Sequence, residues 1–565
     1  MANNKYGVKI KNIEAGTLYE NNLGVRDYYS YTSAMFNNSL LLDFLLENGL
    51  KVSKDGRTRD IIGINFSFGA KSYKETKDKI SARLSTEIFK PQGEQNEEYI
   101  SNLQKALDKC NANEEKYKKT SIEDIRLEYY RDGVDVQYVQ RNKQGKVNKI
   151  EIIHYKMLYR SSGKAKTGSC IFINENLYKK AHDFIYMGYK MPKENSPIVE
   201  ASAYVSLVAS SIVGAMVINP KDILILKDVD SYFNREVISI ETNKKKECIA
   251  RRIKDYQLKN TLFDGQALID SSIFPTWGNG YVLLRHHMTK CAAFKANIQL
   301  FFKDYFGDNY ESAKVTDIFG NEHYAKDIKM ITTNNAMKWL KFDMSYNYWC
   351  DKVYANGCKF GIVKTAHKSK LGEVQKMSYQ MVNTLNDNIM DDVLAKSKAY
   401  VDKLKRDNDV FLDYLRDNSN FSNDYDVLVA LCEQNPDFIC SSYFRKRKSK
   451  IIGRYVARLR LGKIIQEGDN LVMVGSPYAM LLHSVGEDVE KDKTLKSIDG
   501  EIQCYTKRFE SGESIAGFRS PHNSKSNILA LQNVESELLD RYIEVGEQCI
   551  AVNCLHTDLQ DRANG

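Results

Sequence analysis

The chain has 565 residues, of which 42% are hydrophobic and 27% are charged. This composition excludes an intrinsically disordered protein, and the length leaves room for about three to five domains. The net charge of +9, from 82 Lys and Arg against 73 Asp and Glu, is compatible with a polyanionic partner but does not require one.

Signals for secretion, zinc binding and membrane insertion are weak. The N-terminal MANNKYGVKI lacks the apolar core of a signal peptide, so we predict a cytoplasmic protein. The eleven cysteines occur without a CxxC pair, which favours reduced structural thiols over a zinc site. Residues 201–220 carry no charge, but four serines and an interior glycine favour a buried helix leading into a strand over a membrane span. We therefore predict no membrane partner.

The N-terminal region, residues 1–195, is predicted to be α+β. Segments such as LLLDFLLENGL indicate mostly helix up to residue 130, and from Asp132 an alternating pattern predicts strands. Residues 161–169, SSGKAKTGS, form a basic loop between two of these strands. Its Lys164 and Lys166 are candidate contacts to a nucleic-acid phosphate, and a solvated hairpin tip explains the same residues.

The rest of the chain alternates between strand-rich and helical regions. Residues 196–345 are rich in short β-type runs such as DILILKDV. Residues 346–450 form a helical connector, because 374–440 place apolar residues at spacings of three and four with charges between them. Residues 451–565 return to short strands, as in GDNLVMVGS, EIQCYT and SIAGFRS.

The most basic segment is FRKRKSKIIGRYVARLRLGK, residues 444–463, which contains no acidic residue. Arg454 and Arg458 are four residues apart and would share one face of a helix. Interleaved apolar residues require the segment to pack while it displays its charges, which suits contact with a phosphate backbone. An ordinary solvated face is the alternative. The candidate nucleic-acid contacts are Arg445, Arg454, Arg458 and Arg460.

Two further segments place cations among apolar or turn residues. YVLLRHHMTKCAAFKANIQLFFKDYFGDNY, residues 281–310, carries Lys290, Lys295 and Lys303, and Lys338 follows downstream. A bent β-segment could bring Lys295 and Lys303 into one concavity, where ammonium groups would bind a triphosphate. In GFRSPHNSKSNI, Arg519 comes directly before a rigid Ser-Pro-His turn that also carries His522. Each of these cations is more commonly a surface residue.

The order of these segments resembles the two-barrel RNA polymerases. FDGQALID, the lysine-bearing segment, NNAMKWLKF, SYQMVNTL, LGKIIQEGDNLVMV, GFRSPHNSKSNI and IAVNCLHTDLQDRANG follow one another as in that family. The similarity is greatest to its single-chain branch, the RNA-dependent RNA polymerases of RNA silencing and their phage and prophage relatives. It covers roughly residues 200–565 and rests on ordered weak motifs.

The resemblance implies an α+β fold with two double-psi β-barrels, at 196–345 and 451–565, joined by the helical connector. Lysines of the first barrel, here Lys290, Lys295 and Lys303 with Lys338, would bind the nucleoside triphosphate. Arg519 would lie near its ribose, together with His522. The partners would be a DNA or RNA template, the RNA product and nucleoside triphosphates. The family's Gly-Lys-Gly ending is absent, because the sequence around Lys303 is FFKDYFG.

The family also binds two Mg²⁺ ions through three aspartates. One ion activates the 3′-hydroxyl of the growing RNA, and the other stabilises the triphosphate. The family pattern places these aspartates just after Gly565, so the 565-residue chain itself is expected to be inactive and to hold no catalytic residue. Two alternatives stay open: a non-enzymatic nucleic-acid-binding protein and a phage structural protein.

Overall fold

The computed structural model describes most of the chain. The described residues are 7–24, 26, 28–66, 73–93, 95–114, 121–141, 147–160, 169–189, 198–369, 371, 374–376, 387–420, 423–498, 501–518, 527–557 and 559.

The described residues form a mixed α+β structure, in agreement with the predicted class, and several of its sheets curl into half-barrels. The strands are β1 Gly7–Glu14, β2 Tyr31–Asn37, β3 Arg57–Asn65, β4 Val134–Arg141, β5 Val147–Tyr159, β6 Ser169–Asn174, β7 Gly214–Val217, β8 Ile223–Leu226, β9 Asp230–Thr242, β10 Cys248–Thr261, β11 Gln266–Asp270, β12 Tyr281–His286, β13 Thr289–Ala296, β14 Lys314–Thr316, β15 Glu322–Tyr324, β16 Met330–Thr333, β17 Lys359–Thr365, β18 Val374–Lys376, β19 Ile465–Glu467, β20 Val472–Gly475, β21 Ser497–Ile498, β22 Glu501–Tyr505, β23 Ser514–Phe518, β24 Ile528–Asn533 and β25 Cys549–Val552.

The helices are α1 Ala15–Asn22, α2 Leu40–Glu47, α3 Tyr73–Ile88, α4 Glu97–Ala112, α5 Ile122–Asp132, α6 Glu175–Tyr186, α7 Ile198–Val205, α8 Ile298–Phe306, α9 Tyr346–Ala355, α10 Met390–Arg406, α11 Asn408–Asn418, α12 Tyr425–Gln434, α13 Ser442–Arg460, α14 Pro477–Ser484 and α15 Glu537–Tyr542.

The chain divides into two compact units, each built from several stretches of sequence. The first unit contains residues 1–220, 283–290 and 337–364, and the second contains residues 221–282, 291–336 and 365–565. The boundaries at 283 and 291 fall inside β12 and β13. The predicted division into four consecutive segments, 1–195, 196–345, 346–450 and 451–565, stays a prediction.

A six-stranded sheet organises the first unit. Its strand order is β2-β1-β3-β6-β5-β4, with β1 parallel to β3 and every other neighbouring pair antiparallel. Apolar residues of this sheet, such as Ile62 and Phe172, form a buried core with Leu18 of α1 and Ile125 of α5. The burial of these apolar side chains is what holds the two helices on the sheet.

The second unit contains two mixed sheets. In the first, β11 is parallel to β13 and antiparallel to β16, and β16 is parallel to β8. In the second, the order is β20-β25-β22-β24-β23, in which β20 is parallel to β25 and β22 is parallel to β24. The parallel partners are fewer than 30 residues apart in sequence for β11–β13 and β22–β24, and more than 70 apart for β20–β25 and β8–β16. A long antiparallel hairpin, β9–β10, precedes β11.

Helices α10 to α13 of the second unit pack around their own core. Leu404, Phe411, Leu428 and Phe444, one from each helix, are almost fully buried in it. The 3–4 spacing of apolar residues in 374–440 correctly predicted the helices from residue 387 onward. The prediction is wrong for 374–376, which form strand β18 by pairing with the distant β19, and 377–386 lie outside the described residues.

Two further sequence predictions can be compared with the structure. Residues 201–220 do contain the end of a helix, α7, followed by the strand β7, as predicted. The expectation that residues 1–130 are mostly helical is wrong for three segments, because β1, β2 and β3 lie there. These strands are stabilised by pairing within the six-stranded sheet, which local periodicity does not reveal.

Candidate nucleotide and nucleic-acid sites

Lys295 lies on β13, beside the segment that leads into β25. Its ammonium group forms a salt bridge with the carboxylate of Glu544, and both side chains are partly exposed. The next residues along β13 pair with the same segment, through an antiparallel bridge between Ala296 and Ile543 and a 2.8 Å hydrogen bond from the Asn297 N–H to the Tyr542 carbonyl. The lysine-bearing strand and the approach to β25 are thus joined although about 250 residues separate them.

Two glycines permit this close approach. A Cβ atom on Gly280 would lie 2.2 Å from the backbone nitrogen of Gly546, and one on Gly546 would lie 2.6 Å from the Asn279 carbonyl oxygen. Gly280 also has a φ of +80°, which L-residues rarely adopt. Any side chain at either glycine would push the two backbones apart.

Gln266, in the FDGQALID segment, connects β11 to the end of β20. Its amide nitrogen donates to the Gly475 carbonyl at 2.9 Å, and its amide oxygen accepts from the Gly475 N–H at 3.0 Å. The glutamine is 7% exposed. The side chain therefore pairs with a backbone as a neighbouring strand would, and it joins the two mixed sheets of the second unit.

Lys303 lies on helix α8, so the expectation of a bent β-segment carrying both Lys295 and Lys303 is wrong. The sequence IQLFFKDYF buries Phe301 and Phe302 and exposes Lys303, as the 3.6-residue period of a helix requires. The Lys303 ammonium lies over the ring of Tyr310, 5.4 Å from its centroid.

The loop that follows β25 is held by the base of the β9–β10 hairpin. The buried Asn260 amide donates to the carbonyls of Cys554 and Thr557, at 3.2 Å each. The His556 N–H donates to the Ser231 hydroxyl at 2.7 Å, and its imidazole bonds Glu490 and the Tyr232 carbonyl. The bond to Glu490, followed by that to Tyr232, raises the pKa of His556 above its ordinary value.

The other two predicted lysines, Lys290 and Lys338, belong to the first unit. Lys290 lines a cavity of about 420 Å³ together with Arg285, Ser210 and Ser211. Lys338 lies over the ring of Tyr204, 5.9 Å from its centroid. Arg285, at the same cavity as Lys290, is 8% exposed and was not predicted as a site residue from the sequence. Its position five residues before Lys290 could have indicated it.

Helix α13 carries the predicted basic segment. Ser441 caps it by accepting from the Phe444 N–H, and Phe444, Ile451, Ile452 and Tyr455 are buried against the neighbouring helices. Because the segment is helical, Arg454 and Arg458 share one exposed face, as their four-residue spacing implies for a helix. The exposed cations at four-residue spacing are Lys446, Lys450, Arg454 and Arg458.

This basic stripe extends for about 18 Å, from the rise of 1.5 Å per residue of an α-helix. Arg445 and Arg460 are exposed as well, and the Arg445 guanidinium donates to the Cys440 carbonyl. Other cations of the helix have structural partners: Arg447 forms a salt bridge with Asp424, and Lys448 donates to Asn408.

Four predicted site residues, Lys164, Lys166, Arg519 and His522, lie outside the described residues, as does Gly565. Among the described residues, no three His, Cys, Asp or Glu side chains form a group that could hold a metal ion. The Mg²⁺ that the resemblance implies stays a prediction.

None of the described helices is long and apolar enough to cross a bilayer. The chain matches no protein-family model. No curated protein is significantly similar to it in sequence.

Proposed function

We propose that the chain forms the nucleotide-binding part of a two-barrel, single-subunit RNA polymerase that uses a DNA or RNA template. The observation that supports this best is the junction of Lys295 and β13 with the segment leading into β25. In such an enzyme, the lysines of one barrel must face the metal loop of the other across a single nucleotide. The two sheets contain parallel pairs that are distant in sequence, β8 with β16 and β20 with β25, which is compatible with the interleaved strands of double-psi barrels.

In this proposal Lys295 acts on the triphosphate as a fixed positive charge. Its salt bridge with Glu544 holds the ammonium group at the surface when no nucleotide is bound. Because each side chain remains about one third exposed, the salt bridge contributes little to stability and can be exchanged for a stronger interaction with phosphate. Binding of the triphosphate would then release Glu544 to solvent.

Nucleotide binding tests this role directly on the 565-residue chain. Calorimetric titration with ATP or GTP in the presence of Mg²⁺ is expected to give a Kd that rises about tenfold or more in Lys295→Ala, from the loss of one charge-assisted hydrogen bond. Glu544→Gln should lower the Kd, because the competing carboxylate is gone. Lys314→Ala is the matched control, since Lys314 also lies on a strand and pairs with a glutamate, Glu322.

Equal nucleotide affinity in Lys295→Ala and Lys314→Ala would contradict the assignment of Lys295. Template-directed synthesis is a separate measurement. We expect RNA extension only from a chain that also carries the aspartates of the family, and the same assay with DNA and RNA templates would identify the template.

A second candidate function, nucleic-acid binding without catalysis, is supported by the basic stripe of α13. Changing Arg454, Arg458 and Arg460 to Ser should weaken binding to a DNA or hybrid duplex of any sequence. The slope of log K against log salt should fall by about 3, since each phosphate contact contributes about 0.9. Changing Lys403, Lys405 and Arg406 of α10 to Ser removes the same charge from a neighbouring helix and serves as the control. The same slope in both triple variants would leave the stripe as ordinary surface.

A further inference from the structure

The six-stranded sheet of the first unit has an open groove at one end. Strands β1, β3, β4 and β5 and the residues before β2 line it, and its volume is about 1280 Å³. Tyr138 connects the groove to the buried core under α1 and α5, because its side chain belongs to both. Asn21 of α1 lines the groove as well, so the groove borders that helix. None of the predicted functional residues that the structure describes lines it.

Tyrosine rings dominate one wall of this groove, which we call the tyrosine groove. Tyr28 is 64% exposed and Tyr31 is 53% exposed. The Lys11 ammonium lies 5.1, 4.2 and 4.7 Å from the ring centroids of Tyr29, Tyr31 and Tyr138, and it donates to the Tyr29 hydroxyl at 3.1 Å. These cation–π contacts fix the rings before any ligand arrives.

The carboxylates at the tyrosine groove are already engaged, whereas some of its cations are not. Within the described part of the chain, the exposed Lys51 forms no salt bridge, and Lys9 has none either but lies near enough to Asp55 for its charge to help lower the pKa of that carboxyl group. The partners of the carboxylates are Arg57 for Asp55, Arg59 for Glu151, Lys156 for Glu175, and the Lys51 N–H and the Asn174 amide for Asp60. The lining therefore carries five Lys and Arg side chains against four carboxylates, and three of those carboxylates form salt bridges, which leaves a small excess of positive charge for a ligand.

The size and chemistry of the groove indicate what binds there. Its volume exceeds the range of about 300–1000 Å³ that is usual for small-molecule sites, which favours a chain-like ligand. Exposed tyrosine rings beside ammonium groups match the base faces and phosphates of a single strand. A duplex hides its base faces in the stack and could not use the rings.

We propose that the tyrosine groove binds single-stranded RNA or DNA, with bases stacked on Tyr28 and Tyr31 and phosphates near Lys9 and Lys51. This site is distinct from the proposed nucleotide site at Lys295 and from the basic stripe of α13. It gives the first unit a role in holding an unpaired strand, whether or not the second unit catalyses nucleotidyl transfer.

Fluorescence anisotropy with labelled 12-nucleotide oligo-U and oligo-dT, and with a 12-base-pair duplex, tests the proposal at fixed salt. The measurements use the full chain in which Arg454, Arg458 and Arg460 are changed to Ser, so that the α13 stripe does not mask the groove. Tyr28→Ala and Tyr31→Ala should each weaken single-strand binding about fivefold or more, as expected for the loss of one base stack. Binding to the duplex should not change.

Two sets of variants separate stacking from structural effects. Tyr28→Phe and Tyr31→Phe keep the ring and should bind single strands as the parent does. Tyr324→Ala removes a tyrosine of similar exposure, 47%, from β15 and should also have no effect. The proposal is overturned if the alanine variants bind single strands as tightly as the parent, if they lose duplex affinity equally, or if the phenylalanine variants bind as weakly as the alanine variants.

Discussion

The effect of replacing Gln266 can be worked out quantitatively, because its amide nitrogen and its amide oxygen both bond the buried Gly475, and its only other side-chain bond in the described structure is a weak one to the Met480 sulfur at 3.7 Å. In Gln266→Glu at neutral pH, a carboxylate oxygen can still accept from the Gly475 N–H. The other oxygen, however, faces the Gly475 carbonyl, which now has no donor. Protonation of the new glutamate restores a donor at that position, with almost the same shape as glutamine.

The free-energy cost of this protonation sets how much stability the Gln266→Glu variant loses. For an ordinary glutamate pKa of about 4.3, keeping the group protonated costs about 3.7 kcal/mol at pH 7 and about 1 kcal/mol at pH 5. The alternative, a buried carbonyl without a donor next to a carboxylate, costs about 1–3 kcal/mol for the carbonyl and more for the charge. We therefore expect a loss of about 3–4 kcal/mol at pH 7 that shrinks to about 1 kcal/mol at pH 5.

The direction in which the stability of Gln266→Glu changes with pH follows from the linkage between proton binding and folding. Burial would raise the pKa of the new carboxyl group in the folded state above its unfolded value. Its contribution is therefore most favourable below the unfolded pKa and is lost as the pH rises through the folded pKa. Relative to the parent protein, the variant should recover stability on acidification.

Amide hydrogen exchange of residues 472–475, which form β20, measures this local effect without requiring two-state unfolding of the whole chain. Gln257→Glu is the matched control, because Gln257 is exposed on β10. The reasoning is refuted if β20 in Gln266→Glu exchanges as it does in the control, or if its extra exchange relative to the parent is the same at pH 5 and pH 7.

Three further predictions concern the loop after β25. The pKa of His556, measured by proton NMR titration, should fall toward 6.5 in Glu490→Gln, and an unchanged pKa would contradict the pairing. Because the folded-state pKa is raised, the His556–Glu490 pair stabilises the protein below pH 6.5, and this contribution is lost as the pH rises through the raised pKa. Burial raises the pKa of the Cys554 thiol to about 12. In the folded protein a thiol reagent should therefore label the exposed Cys248 and leave Cys554 unmodified, and equal labelling of the two would disprove the burial of Cys554. Asn260→Ala should speed amide exchange in residues 554–557, because two backbone carbonyls lose their donor, and exchange at the parent rate would show that the loop is held by other contacts.

The sequence revealed the elements whose stabilising pattern is local. The pattern of helix α13 is local, because Phe444, Ile451, Ile452 and Tyr455 repeat at helical spacing while the cations fall between them. The predicted helical connector nevertheless ended at residue 450, ten residues before the helix does. Strands β20, β22 and β23 were visible as short apolar runs bounded by Gly, Asp and Asn.

The features that were missed depend on partners distant in sequence. Strand β1 contains three lysine and asparagine residues among its apolar ones, and it is a strand because β2 and β3 pair with it on either side. Lys303 was assigned to a β-segment because the spacing of lysines was considered without the period of IQLFFKDYF, which is helical. Arg285 became a candidate only when the fold placed Ser210 and Ser211 at the same cavity.

The contacts that join the two mixed sheets differ in kind from those that hold each core together. Apolar packing stabilises helices α10 to α13, and it tolerates small shifts because dispersion and hydrophobic burial have little directionality. The junctions made by Gln266 and Asn260, and by the backbones of Gly280 and Gly546, depend instead on direction and on distances near 3 Å or less. A site whose two halves come from different sheets needs such positioning, since a misplacement of about 1 Å can cost two orders of magnitude in rate. FDGQALID contains no cation, but its strand β11 pairs with β13 and places Ile269 opposite Lys295. The position of Lys295 is therefore set partly by residues outside the proposed nucleotide site.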